Sequence, residues 1–131
     1  MKKTFVFLAM VLVSACSPHA EPEAAHVTTV DLGSAEDSID DGIQILDVRT
    51  EEEWREGHLA MAVRVDVNQD GFSEKTRALL DPSKPVLVYC RSGSRSAKAA
   101  ALLEELGFTE IHNLKGGITA WSEAGKPIVR E

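Results

Sequence analysis

The sequence predicts an α/β domain built on a mainly parallel sheet. Three observations carry that expectation. From residue 27 onward, short apolar runs alternate with amphipathic stretches, the pattern of repeated strand–helix units. One run, Pro85 to Tyr89 (PVLVY), is apolar throughout, as a strand covered on both faces must be. Gly57, Asp81-Pro82 and Gly107 close the amphipathic stretches, where helices are expected to stop.

Each element follows in order. Val27 to Leu32 reads as a first short strand, and Ser34-Ala-Glu-Asp as the N-cap and acidic first turn of a brief helix to Asp41. Ile43 to Val48 (IQILDV) is a second strand. Thr50 with Glu53 three residues on fits a capping box, for a short helix through Trp54 to Glu56 that Gly57 ends. Ala62 to Val67 (AVRVDV) alternates with period two, a third strand with one wetter face. After a polar loop, a weak helix is expected around Lys75 to Leu80, then the buried strand Pro85 to Tyr89. Ser96 to Leu106 is a strong helix, with Ala99, Leu102, Leu103 and Leu106 on one face and Gly107 as its stop. Phe108 to Leu114 gives the last strand and Gly117 to Ala124 the last helix.

The N-terminus is of another kind. A basic Met1-Lys2-Lys3 precedes an apolar run from Thr4 to Val13, and Ser14-Ala15-Cys16 follows. These are the three parts of a secretory signal, and the run is too short for a permanent bilayer span. Ser17 to about Ala25 (SPHAEPEAA) is polar and lacks apolar periodicity, so it reads as a flexible tether. The expected organisation is a leader over 1–15, a tether over 16–26 and one domain over 27–131.

The formal net charge is −7, and without Lys2 and Lys3 the balance is 12 basic against 21 acidic residues. Such a domain is a poor partner for nucleic acid or for an anionic lipid surface. Any anion-binding site must work locally, against the global field. One internal cysteine with histidines at 19, 26, 58 and 112 has no metal-ligand spacing. No metal or cofactor is expected.

Cys90 ends the buried strand, at the carboxyl edge where parallel sheets bind ligands. The loop Cys90-Arg91-Ser92-Gly93-Ser94-Arg95-Ser96 leads straight into the strong helix. Its unpaired N–H groups and the positive end of the helix dipole favour an anion. Gly93 and the serines let the backbone curl into a nest, and Arg91 and Arg95 add charge. The same features lower the pKa of the Cys90 thiol. A purely structural cysteine would account for Cys90 but not for two arginines, a glycine and three serines in the next six positions.

Cys90-x4-Arg95-Ser96 resembles the active loop of the rhodanese-like sulfurtransferases. Other segments support the resemblance: Leu46-Asp47-Val48-Arg49-Thr50 with Glu52, Glu53 and Trp54, Gly57-His58-Leu59 with Ala62, Gly116-Gly117-Ile118-Thr119-Ala120-Trp121, and Gly125-Lys126-Pro127-Ile128. Met61 departs from it, standing where the family usually has glycine, as does Arg64, where asparagine is common. The resemblance implies five parallel strands in the order 1-5-4-2-3 with helices on both faces. It also implies a persulfide on Cys90, with Arg91, Ser92, Gly93, Ser94, Arg95 and Ser96 binding substrate. The partners implied are a small anionic sulfur donor such as thiosulfate and a thiol, protein cysteine or cyanide acceptor. Related phosphatase loops hold one residue more, and a non-catalytic binding module is the other reading of the same loop.

Val13-Ser14-Ala15-Cys16 similarly resembles a bacterial lipobox, which implies a diacylglyceryl group on Cys16. Ser17 rather than Asp at the next position then points to the outer membrane, facing the periplasm, with a soluble periplasmic protein as second choice. Contact with the membrane would be by the lipid anchor only, and the domain is expected to be a monomer. Asp47 and Arg49 are read as a fold-holding pair, His58 as a turn residue, Trp54 and Trp121 as core anchors, and His112 as lacking a partner.

Overall fold

The computed structural model describes residues 24–130. The expected leader, Cys16 and most of the tether lie outside the described residues. The elements run β1 (His26–Val30), α1 (Leu32–Asp40), β2 (Gln44–Asp47), α2 (Glu51–Glu56), β3 (Val63–Arg64), α3 (Phe72–Leu79), β4 (Val86–Tyr89), α4 (Ser94–Glu105), β5 (Glu110–Leu114) and α5 (Gly117–Glu123). The five strands form one sheet in the order β1-β5-β4-β2-β3, and every pairing is parallel. Fold and strand order are those expected.

Side-chain parity along the central strands builds two cores, one on each face of the sheet. Leu46 of β2 and Val48 just after it, Val86 and Val88 of β4 and Cys90 just after it, and Ile111 of β5 pack on one face against Ala99, Ala100 and Leu103 of α4 and Phe72 of α3. Ile45, Leu87, Tyr89 and Leu114 face the other way, towards Ala35 of α1 and Ile118 and Trp121 of α5. All four residues of β4 are fully buried, which is why its sequence has no charged position and its one hydroxyl, on Tyr89, is hydrogen-bonded.

Local differences have physical causes. The N-cap of α1 is Asp31, not Ser34: its carboxylate accepts the Ser34 N–H at 2.8 Å, so the helix begins one turn early. His26, placed at the end of the tether, instead opens β1 and donates its N–H to Thr109 C=O. The third strand is only two residues long. Val65 N–H bonds to Asp47 C=O and Val67 N–H to Val48 C=O, so two residues advance against one and the ladder stops. Asp66, expected on a wetter face, is buried, and its carboxylate caps the turn by accepting Asn68 N–H at 2.9 Å.

Trp121 is a core residue whose indole N–H donates to Pro127 C=O at 2.8 Å. Trp54 is not a core anchor. It is half-buried and stacks on the His58 ring, with centroids 3.4 Å apart and planes 5° from parallel. His112 does have a partner: its Nε2 lies 3.0 Å from Glu110 Oε1.

Candidate active site

The loop after β4 is fastened from three sides, which leaves its amides pointing inward. Gly93 is the N-cap of α4 with φ 117°, a left-handed conformation that residues with a Cβ avoid. No side chain caps the helix there, so the first N–H groups of α4 stay free for another acceptor. Gly93 N–H donates to Cys90 Sγ at 3.0 Å, and Ser96 Oγ lies 3.4 Å from the same sulfur.

The second fastening comes from α5. Ile118 N–H donates to Cys90 C=O at 3.0 Å and Thr119 N–H to Arg91 C=O at 3.1 Å. Two carbonyls of the loop are thereby engaged outside the ring. This close approach is what Gly117 permits: a Cβ there would stand 2.5 Å from both carbonyl oxygens.

The third fastening is electrostatic. Arg95 Nη1 and Nη2 donate to Glu53 Oε1 and Oε2 at 2.6 and 2.8 Å, a two-pronged pair of the strong kind. Glu53 completes the capping box of α2 with Thr50, so the helix end and the loop share one carboxylate. Its hydrogen bonds to Arg95 hold the Glu53 carboxyl down at about 2. Arg91, by contrast, is exposed and lines a cavity of about 620 Å³ together with Thr119, Glu123 and Arg130.

Cys90 itself is 1% exposed and is a free thiol. Burial opposes its ionisation and is the largest single influence. Hydrogen bonds from Ser96, Gly93 and Ser92 together outweigh it, and the thiol ends below its ordinary value. A thiolate in such a ring is a nucleophile at a carboxyl edge of a parallel sheet.

Beneath the site, Asp47 and Arg49 form a buried fork. Arg49 Nη2 donates to Asp47 Oδ2 and to Gly57 C=O, both at 2.7 Å. Tyr89 O–H donates to Asp47 Oδ2 at 2.6 Å and accepts Leu59 N–H at 3.1 Å. Burial, then the charge of Asp47, pushes the Tyr89 phenol up. His58 caps the same turn, with Nδ1 3.0 Å from Trp54 C=O. Of the loop residues, Ser92, Gly93 and Ser96 meet at the sulfur, Arg95 is held by Glu53 and Arg91 lines the cavity, whereas Asp47, Arg49 and His58 stay clear of the sulfur, with Arg49 lining the same cavity as Arg91.

Sequence reasoning missed Tyr89 and Asn113. Parity along β4 and β2 would have found the first, because Tyr89 pairs with Asp47 in the sheet register. Asn113 is a polar residue between His112 and Leu114 on β5 that is nonetheless buried, 8% exposed, and Ser96 Oγ lies 2.6 Å from its Oδ1.

Fold and loop together define a class, a parallel α/β domain that holds a thiol among loop amides at the carboxyl edge of its sheet. The Rhodanese-like domain family matches residues 31–124, and the chain belongs to that family. It is 36% identical over 121 residues to Thiosulfate sulfurtransferase 18 of Arabidopsis thaliana, covering 83% of this chain and 88% of that one. A sulfurtransferase of Allochromatium vinosum is 33% identical over 87 residues, covering 66% and 78%. Among solved structures, a rhodanese-related protein from Thermoplasma volcanium superposes with a TM-score of 0.69 at 29% identity, covering 79% of this chain and 99% of that one.

Proposed function

We propose that the protein moves a sulfane sulfur from a small anionic donor to a thiophilic acceptor, through a persulfide on Cys90. The observation that carries this reading is the Cys90 sulfur at the focus of the Gly93 N–H and Ser96 hydroxyl, in a ring that favours negative charge. The Cys90 thiolate attacks the outer sulfur of a donor such as thiosulfate, the sulfur–sulfur bond of the donor breaks, and sulfite leaves with the bonding pair. The terminal sulfur of the resulting persulfide is then attacked by cyanide, a small thiol or a protein cysteine, which returns Cys90 as thiolate. Inward amides between Arg91 and Ser96 stabilise the anion at each stage. Arg91, free at the rim, draws in the donor, while Arg95 works through Glu53 to hold the loop in shape.

The test uses a chain beginning near Glu21, mixed with thiosulfate and then cyanide. A mass increase of one sulfur on Cys90 and release of thiocyanate are expected, both abolished by Cys90→Ser. A chain that gains no sulfur, or a Cys90→Ser variant that still releases thiocyanate, overturns the reading.

We further propose that the domain is a monomer tethered by a diacylglyceryl group on Cys16 to the outer membrane, facing the periplasm. The lipobox-like Val13-Ser14-Ala15-Cys16 supports this. Inhibiting lipoprotein signal peptidase should leave a heavier, uncut precursor, and an unchanged product would remove the anchor.

A further inference from the structure

The side chain of Asn113 stands on the α4 face of β5, two residues from Ile111, in a mainly apolar layer. An amide buried there is costly unless its polar atoms find partners. Both of its side-chain hydrogen bonds among the described residues go to the Cys90 loop: Oδ1 lies 2.6 Å from Ser96 Oγ, and Nδ2 lies 3.4 Å from Gly93 C=O. Ser96 is fully buried. Its hydroxyl carries a single hydrogen, yet three acceptors surround it: Asn113 Oδ1 at 2.6 Å, Gly93 C=O at 3.0 Å and Cys90 Sγ at 3.4 Å. Only one of them can be served at a time.

We propose that Asn113 is a positioning residue that decides where the Ser96 proton points, turning its amide over when the Cys90 sulfur becomes anionic. With a neutral thiol, Ser96 O–H donates to Asn113 Oδ1 and Asn113 Nδ2 donates weakly to Gly93 C=O. With an anionic sulfur, Ser96 O–H donates to Sγ and Asn113 Nδ2–H donates to Ser96 Oγ in its place. No covalent bond changes, and each arrangement uses one hydroxyl hydrogen and one amide hydrogen. Gly93 C=O is not left bare, because it also accepts Ala97 N–H at 3.1 Å, whereas the turned Asn113 Oδ1 gives up the one donor it has among the described residues, a cost that the bond to the anionic sulfur must offset. An amide can make this exchange because it is both donor and acceptor. The hydroxyl then swaps one partner for another instead of abandoning a bond to reach sulfur. Chains of this kind strengthen one another.

The inference deepens the persulfide reading, but its test observes the thiol alone, so the two can fail separately. The rate of alkylation of Cys90 by neutral iodoacetamide, followed against pH, gives the ionisation midpoint. Asn113→Leu removes the exchange without adding charge, and the hydroxyl must then leave Gly93 C=O to serve sulfur. The midpoint should rise by about 0.5–1 pH unit, the equivalent of one ordinary hydrogen bond. Ser96→Ala should also raise it, and Asn113→Leu on top of Ser96→Ala should add nothing, because Asn113 acts through Ser96. The charged groups near the loop, Arg91, Arg95, Glu53 and Asp66, are the same in all variants. Asn113→Val serves in place of Leu should the larger side chain prevent folding. An unchanged midpoint in the single variant, or an equal rise in the Ser96→Ala background, overturns the proposal.

Discussion

At the scale of single residues, the two arginines of the loop have different surroundings. Arg91 faces open solvent beside the cavity, whereas Arg95 is locked to Glu53. Arg95 is therefore half of a clamp between α2 and the loop. The clamp has a pH signature. The Glu53 carboxyl sits at about 2 in the folded protein against an ordinary 4.5. A carboxylate lowered in this way contributes stability that is complete above the unfolded value and is lost as pH falls through the folded one. Between pH 4.5 and 2 the protein should therefore lose about 2 kcal/mol from this group alone, after discounting for its partial exposure. Glu53→Gln should flatten the urea midpoint over that window relative to the unaltered protein, and a curve of unchanged slope would count against the clamp. With the clamp gone, sulfur transfer at neutral pH should fall by roughly tenfold, the scale of one charge-assisted pair.

At the scale of elements, glycines show what the sequence could and could not convey. The stops at Gly57 and Gly107, the capping box of Thr50 and Glu53, and the apolar run of β4 were legible because each is a local preference written in neighbouring residues. Gly93 was legible for the same reason, as the residue that lets the loop curl, whereas Gly117 serves a contact with the Cys90 loop, distant in sequence, and its purpose was not legible. Gly93 and Gly117 are needed for different reasons. A Cβ at Gly93 meets nothing within 4 Å, so only its φ of 117° demands glycine, whereas a Cβ at Gly117 collides with the Cys90 and Arg91 carbonyls. Gly117→Ala should push α5 away from the loop, destabilise the protein by about 1–3 kcal/mol in urea unfolding, and raise the alkylation midpoint of Cys90. A variant as stable as the parent would show that α5 does not brace the loop. Met61 is the converse case. It holds φ 67° with its side chain 91% exposed, at the position where resemblance led one to expect glycine. Met61→Gly should stabilise the fold by about 0.5–1 kcal/mol; a loss of stability would mean the side chain does more than tolerate the turn. The Ser96–Asn113 contact joins α4 to β5 across 17 residues of sequence, and no local pattern announces a pairing of that kind.

At the scale of the whole molecule, the fold gathers the loops after β2, β4 and β5 at one edge of a parallel sheet, and Cys90 stands there in a ring of amides. The chain as a whole carries a formal charge of −7. The field at Cys90 therefore has two parts with opposite signs and different ranges. The amides, the helix N-terminus and Arg91 attract an anion over a few ångströms, while the acidic surface repels it from farther away. Salt separates the two, because the screening length shrinks from about 30 Å at 0.01 M to about 8 Å at 0.15 M. The distant acidic groups fade first, and the groups touching the loop remain. Alkylation by iodoacetate, which is anionic, compared with neutral iodoacetamide reads this field without requiring any sulfur transfer. The iodoacetate-to-iodoacetamide rate ratio should rise between those two salt concentrations, by about two- to threefold for a field of this sign. Arg91→Ala should lower the ratio at both concentrations, since the lost charge lies inside the screening length throughout. A ratio that falls with salt would mean that the loop's positive field governs approach even at long range, and that the acidic surface has no part in selecting what reaches Cys90.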